Sequence, residues 1–139
     1  MKKLVCAFLC AIMMISVMIT PAFAAEESNA YISGYSAQIT LKGNGKIRVD
    51  FGTHGTGTMD VIGAETILLY ENGSLVRTFS KDNPLYSSML VGTNRWYFYG
   101  GVDYNGVAGR TYYAEVKHYA EDSTGSGYIW YQTASAVAT

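Results

Sequence analysis

Arg110-Thr111-Tyr112-Tyr113-Ala114-Glu115-Val116-Lys117-His118-Tyr119-Ala120 is the stretch that decides the fold. Tyr112, Ala114, Val116 and His118 make one row. Thr111, Tyr113, Glu115, Lys117 and Tyr119 make the other. A period of two is that of an extended strand, whose side chains alternate between the faces of a sheet. The row with Tyr112, Ala114 and Val116 is the one a core would cover.

The same alternation recurs on both sides of this segment. A first strand is predicted over 31–41, with Tyr31, Tyr35, Ala37, Ile39 and Leu41 on one face and Ser36, Gln38, Thr40 and Lys42 on the other. A second covers 46–52, with Ile47, Val49 and Phe51 inward and Lys46, Arg48 and Asp50 in water. A third covers 65–71 and a fourth 74–80. The fifth, 95–104, sets Trp96, Phe98, Gly100, Val102 and Tyr104 in the inward row and Tyr97, Tyr99 and Asp103 in the other. Gly100-Gly101 within it suggests a bulge or bend. The stretch that opens this section is the sixth, and a seventh runs from Tyr128 to about Val137. Two stretches read as irregular: a glycine-rich connection over 52–63, and 81–94, which holds Pro84.

Three Asn-Gly pairs, Asn44-Gly45, Asn72-Gly73 and Asn105-Gly106, each lie between strand-like runs. Both residues tolerate the positive φ that a type I′ hairpin turn requires. Seven short strands with turn residues between them and no helical period point to a single all-β domain. The expected architecture is an antiparallel β-sandwich of immunoglobulin-like type.

The first 24 residues read differently. Lys2 and Lys3 precede an apolar run from Leu4 to Ile19. Pro21 ends it, and Ala22-Phe23-Ala24 supplies small residues at −3 and −1. This is the pattern of a secretory signal peptide cleaved between Ala24 and Ala25, leaving residues 25–139 as the exported domain. Both cysteines, Cys6 and Cys10, lie in the leader, so the domain has no disulfide and no cysteine metal site. Removing Lys2 and Lys3 from the ten basic residues leaves eight against eleven acidic ones, a net charge of −3. The charges are interspersed, which argues against nucleic acid and against an anionic membrane surface as partners. No second apolar segment approaches the roughly 20 residues of a membrane span. The expected location is extracellular.

Gly109-Arg110-Thr111-Tyr112-Tyr113-Ala114-Glu115-Val116 resembles the start of strand F in immunoglobulin-like and fibronectin type III domains. There a tyrosine three residues after a turn glycine forms a tyrosine corner. The resemblance implies that role for Tyr112, with its hydroxyl bonded back to the preceding turn. The cysteines of antibody domains are missing. The exported domain also resembles a set of small secreted Gram-positive bacterial proteins of unknown function. The likeness lies in Tyr31-Ile32-Ser33-Gly34-Tyr35-Ser36-Ala37, in residues 55–64 and in Tyr112–Val116. It implies export and a single β-domain, and it carries no site residues.

His54 sits among glycines in Gly52-Thr53-His54-Gly55-Thr56-Gly57-Thr58, but the Lys-Ser/Thr and following helix of a phosphate loop are missing. His54 and His118 are the only histidines. With serines, Asp50, Asp60 and Glu115 they supply the components of a hydrolytic triad, yet no spacing singles out a trio. His118 lies on the inward row and reads as a partly buried, hydrogen-bonded ring. Asp60, Glu121 and Asp122 offer oxygen ligands without a calcium-loop pattern. No catalytic residue, metal or cofactor is therefore assigned. The functional hint lies in the tyrosines. Tyr97, Tyr99, Tyr113 and Tyr119 are placed on the outer row of two strands expected to be neighbours, and Tyr128, Trp130 and Tyr131 crowd the seventh. Exposed rings stack on the apolar faces of sugars and also form protein contact hot spots. Cross-strand stabilisation of the sheet accounts for such rings as well and is the first reading of them. The favoured expectation is non-catalytic binding of envelope or environmental polysaccharide. A protein-binding or surface-assembly module (adhesin or inhibitor) is the second possibility, and a small hydrolase the third.

Overall fold

A computed structural model describes residues 29–139. The expected leader and its expected cleavage site fall outside the described residues. Seven strands form one curled antiparallel sheet: β1 (Ile32–Gly43), β2 (Lys46–Glu71), β3 (Ser74–Ser80), β4 (Val91–Asn105), β5 (Thr111–Asp122), β6 (Gly125–Gln132) and β7 (Ala136–Val137). One short helix, α1 (Ser87–Leu90), precedes β4. Among the described residues no helix is long and apolar enough to cross a membrane.

β2 organises the sheet. Its first half pairs with β1 on one side and β4 on the other, as in Ile39↔Val49↔Val102. Its second half pairs with β3 and β5, as in Phe79↔Ile67↔Val116. β6 and β7 extend the sheet from the far edge of β5. The expected second and third strands are thus one, and the 52–63 connection is extended chain rather than a loop. The seven strands still number seven because the expected last strand divides into β6 and β7.

The break in β2 is local. Between His54↔Tyr97 and Met59↔Arg95, four residues of β2 face only Trp96 of β4. A side chain at Gly55 would meet the Gly57 carbonyl at 2.8 Å and Met59 Cγ at 2.9 Å, so only glycine fits this tight excursion. Trp96 loses its ladder partner there and is 55% exposed, against the expectation that it is buried. Past the excursion, β2 continues into the other half of the sheet.

The curl brings the two halves together. Tyr35 of β1 packs against His118 of β5 and Tyr131 of β6 at 5.4 and 5.7 Å, and Phe51 meets His118 at 6.2 Å. Between them lies the core of Ile47, Val49, Phe51, Ile67, Leu69, Val102 and Val116, all buried. On β5, Tyr112, Ala114, Val116, His118 and Ala120 are buried in strict alternation, as the opening stretch predicts. Ile39 is half-buried against the core, and Leu41, expected inward, is exposed near the hairpin. The 81–94 stretch is only partly irregular: it contains α1, and from Val91 it is strand.

Two of the three Asn-Gly pairs close hairpins, with φ of 54° and 76° at Asn44-Gly45 and 47° and 83° at Asn72-Gly73. Asn105-Gly106 does not, because Asn105 lies opposite Lys46 at one end of β2 while Tyr112 lies opposite Glu71 at the other. Gly106 is required for another reason: a side chain there would strike the Tyr112 hydroxyl at 2.6 Å. That hydroxyl accepts a hydrogen bond from Val107 N at 2.8 Å and donates to Glu71. Gly100-Gly101 forms no bulge, since the register from Phe51↔Gly100 to Asp50↔Gly101 is unbroken. There the Met89 carbonyl of α1 comes so close that a Cβ at Gly100 would lie 2.2 Å from it.

Candidate functional site

The strand register defines one outer face, shared by β1, the first half of β2, and β4. Its rungs are Gly34–His54–Tyr97, Ser36–Gly52–Tyr99, Gln38–Asp50–Gly101 and Thr40–Arg48–Asp103, with Lys46–Asn105 below them. Alternation explains why these residues share a face. Their neighbours Ala37, Val49, Phe51, Phe98 and Val102 point the other way, to the core.

The upper rungs are aromatic. Tyr97 is 40% exposed and Tyr99 61% exposed. His54 lies between them and Trp96, with ring centroids 5.7 Å from Trp96, 6.2 Å from Tyr97 and 5.4 Å from Tyr99. His54 Nε2 is 2.6 Å from the Tyr99 hydroxyl, which fixes that ring's direction. Trp96 meets Tyr97 edge-on at 4.7 Å, and Tyr97 and Tyr99 are 5.6 Å apart with their planes 51° from each other. The Tyr99 ring lies down across Gly52: a Cβ there would stand 2.5 Å from its Cε1.

The middle rungs are polar. A depression of about 450 Å³ opens beside Tyr99, lined by Ser36, Gln38, Arg48, Asp50 and the floor of the sheet. Arg48 Nε donates to Asp50 at 2.8 Å, and its Nη1 donates to Asp103 at 3.1 Å. The Asp50 hydrogen bond, seconded by Asp103, raises the guanidinium pKa further above its ordinary value. Thr40 donates to the other Asp50 oxygen at 2.5 Å. The result is a hydrogen-bonded set of acceptors and donors beside an aromatic ring.

The four tyrosines expected to form one platform do not meet. Tyr97 and Tyr99 are on this face, but β4 and β5 are not neighbours. Tyr113, on β5, stacks on Tyr70 of β2 at 4.7 Å with planes 6° apart. Tyr119 donates to Glu121 at 2.5 Å, and the Lys81 ammonium stands 5.6 Å from its ring. These two are half-buried and engaged in their own half of the sheet. Tyr128 and Trp130 are exposed on β6, but the Lys117 ammonium covers Tyr128 at 4.3 Å while bonded to Glu65 at 2.6 Å. Tyr131 leans on Tyr35.

Residue reading alone finds Tyr97 and Tyr99 and misses the rest of the site. Gln38, Arg48 and Asp50 read only as outward strand residues, the glycines around His54 read as a loop, alternation puts Trp96 in the core, and Gly52 carries no signal. Each depends on which strand lies opposite, which the order of residues does not state.

The two histidines occupy different worlds. His118 is fully buried, with Nδ1 2.8 Å from Thr53 Oγ1. Thr53 Oγ1 donates to the Gly63 carbonyl at 2.9 Å, so the His118 Nδ1–H is the donor to Thr53. Nε2 has no partner. Burial pushes the imidazole pKa down to about 4. Among the described residues Thr53, not a carboxylate, is the hydrogen-bond partner of this ring, whereas a triad requires a carboxylate there. Of the candidate calcium ligands, Asp122 accepts from Thr124 N and Oγ1 at 2.7 and 2.6 Å. Among the described residues no three His, Cys, Asp or Glu side chains gather as a metal site.

No protein-family model and no curated protein matches the chain.

Proposed function

We propose that this chain is a secreted, single-domain β-sandwich of immunoglobulin-like type that binds polysaccharide without catalysis, through the outer face of β1, β2 and β4. The division of pairings at β2 supports the sandwich reading. β1–β2–β4 corresponds to one sheet of such a fold and β3–β2–β5–β6 to the other, with β2 serving both. The Tyr112 hydroxyl bonded to Val107 N, five residues upstream, has the geometry of a tyrosine corner. Export rests on the leader pattern of residues 1–24 and on the resemblance to small secreted Gram-positive proteins.

The observation that carries the binding reading is Tyr99 lying over Gly52 beside Gln38, Arg48 and Asp50. A sugar presents an apolar face of C–H bonds and a rim of hydroxyls. The ring answers the first, and the carboxylate, amide and guanidinium answer the second. The 51° tilt between Tyr97 and Tyr99 suits a single chain held between rings rather than a flat crystalline surface. Trp96, exposed beside His54 and Tyr97, favours a second reading in which the same cluster is a protein contact.

Pull-down on cell-wall and plant polysaccharides tests the proposal. The parent protein should be retained, and a Tyr97→Ser, Tyr99→Ser variant should not, while melting near the parent temperature. A parent retained by none of these polymers overturns the glycan reading and leaves protein contact in front.

A further inference from the structure

Eight basic side chains lie in residues 29–139, and six of them are engaged. Arg48, Lys81, Arg110 and Lys117 sit in ion pairs with carboxylates. Arg77 stands over the Tyr104 ring at 5.8 Å, and Arg95 over Phe98 at 5.9 Å. The remaining two are Lys42 and Lys46. Both are exposed, and both line one depression of about 280 Å³ with Asp103, Tyr104 and Asn105.

This depression continues the face that carries Tyr99. Lys46 opens the same β2 row that runs through Arg48, Asp50 and Gly52 to His54. From the Gly52–Tyr99 rung to the Lys46–Asn105 rung is six residues, about 20 Å along the strand. Lys42, Lys46 and Arg48 against Asp50 and Asp103 leave one positive charge on the lower rungs. The domain as a whole is acidic, so these free ammonium groups are its local exception.

We propose that the ligand of this face is an acidic glycan, bearing carboxylate or phosphate groups, whose sugar packs on Tyr99 while its charged substituents reach Lys42 and Lys46. The proposal rests on the glycan reading of the face. It adds the ligand's charge and its direction: an extended chain lying along β2, anionic groups toward the β1–β2 hairpin. Exposed lysines are strongly hydrated point charges on flexible stems, suited to scattered anionic groups rather than to one fixed geometry. Their attraction is screened by salt within about 10 Å at 0.1 M, whereas ring stacking is not.

The experiment is affinity electrophoresis of the exported domain in gels containing polygalacturonate, alginate or wall teichoic acid, beside methyl-esterified pectin, xylan and β-glucan. Methyl esterification keeps the galacturonan sugar and removes its charge. The expected result is retardation by at least one acidic polymer, weakened by added salt and absent with the neutral set. A Lys42→Gln, Lys46→Gln variant should bind that polymer about tenfold more weakly, the loss of two screened charge contacts. Tyr99→Ala should abolish retardation. Equal retardation by neutral polymers, unchanged in the lysine variant, overturns the acidic-ligand inference and keeps the glycan reading. Retardation by acidic polymers that survives Tyr99→Ala marks non-specific charge attraction and overturns the inference as well. Retardation by neither set overturns both.

Discussion

Acidification should unfasten this domain through one residue. His118 is fully buried, donates Nδ1–H to Thr53, and leaves Nε2 with no partner among Tyr35, Phe51 and Tyr131. A proton on Nε2 would place an unsolvated charge there, so burial lowers the folded-state pKa to about 4 from the ordinary 6.5. Above pH 6.5 the ring is neutral in both states and stability is whole. Below it the unfolded chain takes up a proton that the folded chain refuses, so stability falls as pH falls. At 1.36 kcal/mol per unit, the loss by pH 4 is roughly 3 kcal/mol. That is a large share of the 5–15 kcal/mol typical of a domain. The carboxyls of Glu71 and Asp122 are held below their ordinary values, mainly by hydrogen bonds from Tyr112 and Thr124. Their contributions are lost as pH falls through the ordinary carboxyl values, 4.5 for Glu71 and 3.8 for Asp122, so the window from 6.5 to 4.5 belongs to His118. Urea unfolding at half-unit steps across that window measures it. His118→Phe keeps a ring in place and leaves Thr53 its bond to Gly63. Whatever its absolute stability, its curve should be flat where the parent's slopes. A parent curve flat from 6.5 to 4.5, or a variant that slopes equally, would refute the reasoning.

Three further substitutions test the core, the corner and the site. Phe51→Ala removes a buried ring packed against Phe98 and His118 and should cost about 3–5 kcal/mol by denaturant unfolding. Tyr112→Phe strips the hydroxyl that joins Val107 to Glu71 and should cost at least about 0.5–1.5 kcal/mol. Tyr113→Phe keeps the stack on Tyr70 and should change the melting temperature little, so equal losses at the two positions would contradict the corner geometry. Gly52→Ala adds a methyl group 2.5 Å from Tyr99 Cε1, forcing the exposed ring off the sheet and away from His54. Calorimetric titration should show glycan affinity reduced by at least about tenfold, with a melting temperature near the parent's.

Much of the fold was legible because alternation is a local property. The β5 row is correct at every position from Tyr112 to Ala120. The inward row of β2 at Ile47, Val49 and Phe51 is correct too, as are the hairpins at Asn44-Gly45 and Asn72-Gly73. What failed depends on partners distant in sequence. Glycines over 52–63 look like a loop, yet ladder pairing to β1, β4 and β5 keeps most of that stretch extended. Trp96 falls at the register break, has no residue opposite it, and is exposed where the alternation of its strand places it inside. Asn105-Gly106 carries hairpin chemistry and serves instead as clearance for the Tyr112 hydroxyl. The same limit divided the site. Tyr97 and Tyr99 were found from their row, whereas Tyr113 and Tyr119 were grouped with them by a strand adjacency that does not exist.

The central claim is that the face of β1, β2 and β4 is the binding surface. Amide chemical-shift mapping of residues 25–139 during titration with soluble oligosaccharides, acidic and neutral, tests it most directly. Shifts that saturate and concentrate at Gln38, Asp50, Gly52, His54, Tyr97 and Tyr99 are the predicted result. Saturating shifts confined to Tyr113, Tyr128 and Trp130 on the other half of the sheet, or none with any oligosaccharide, would contradict it.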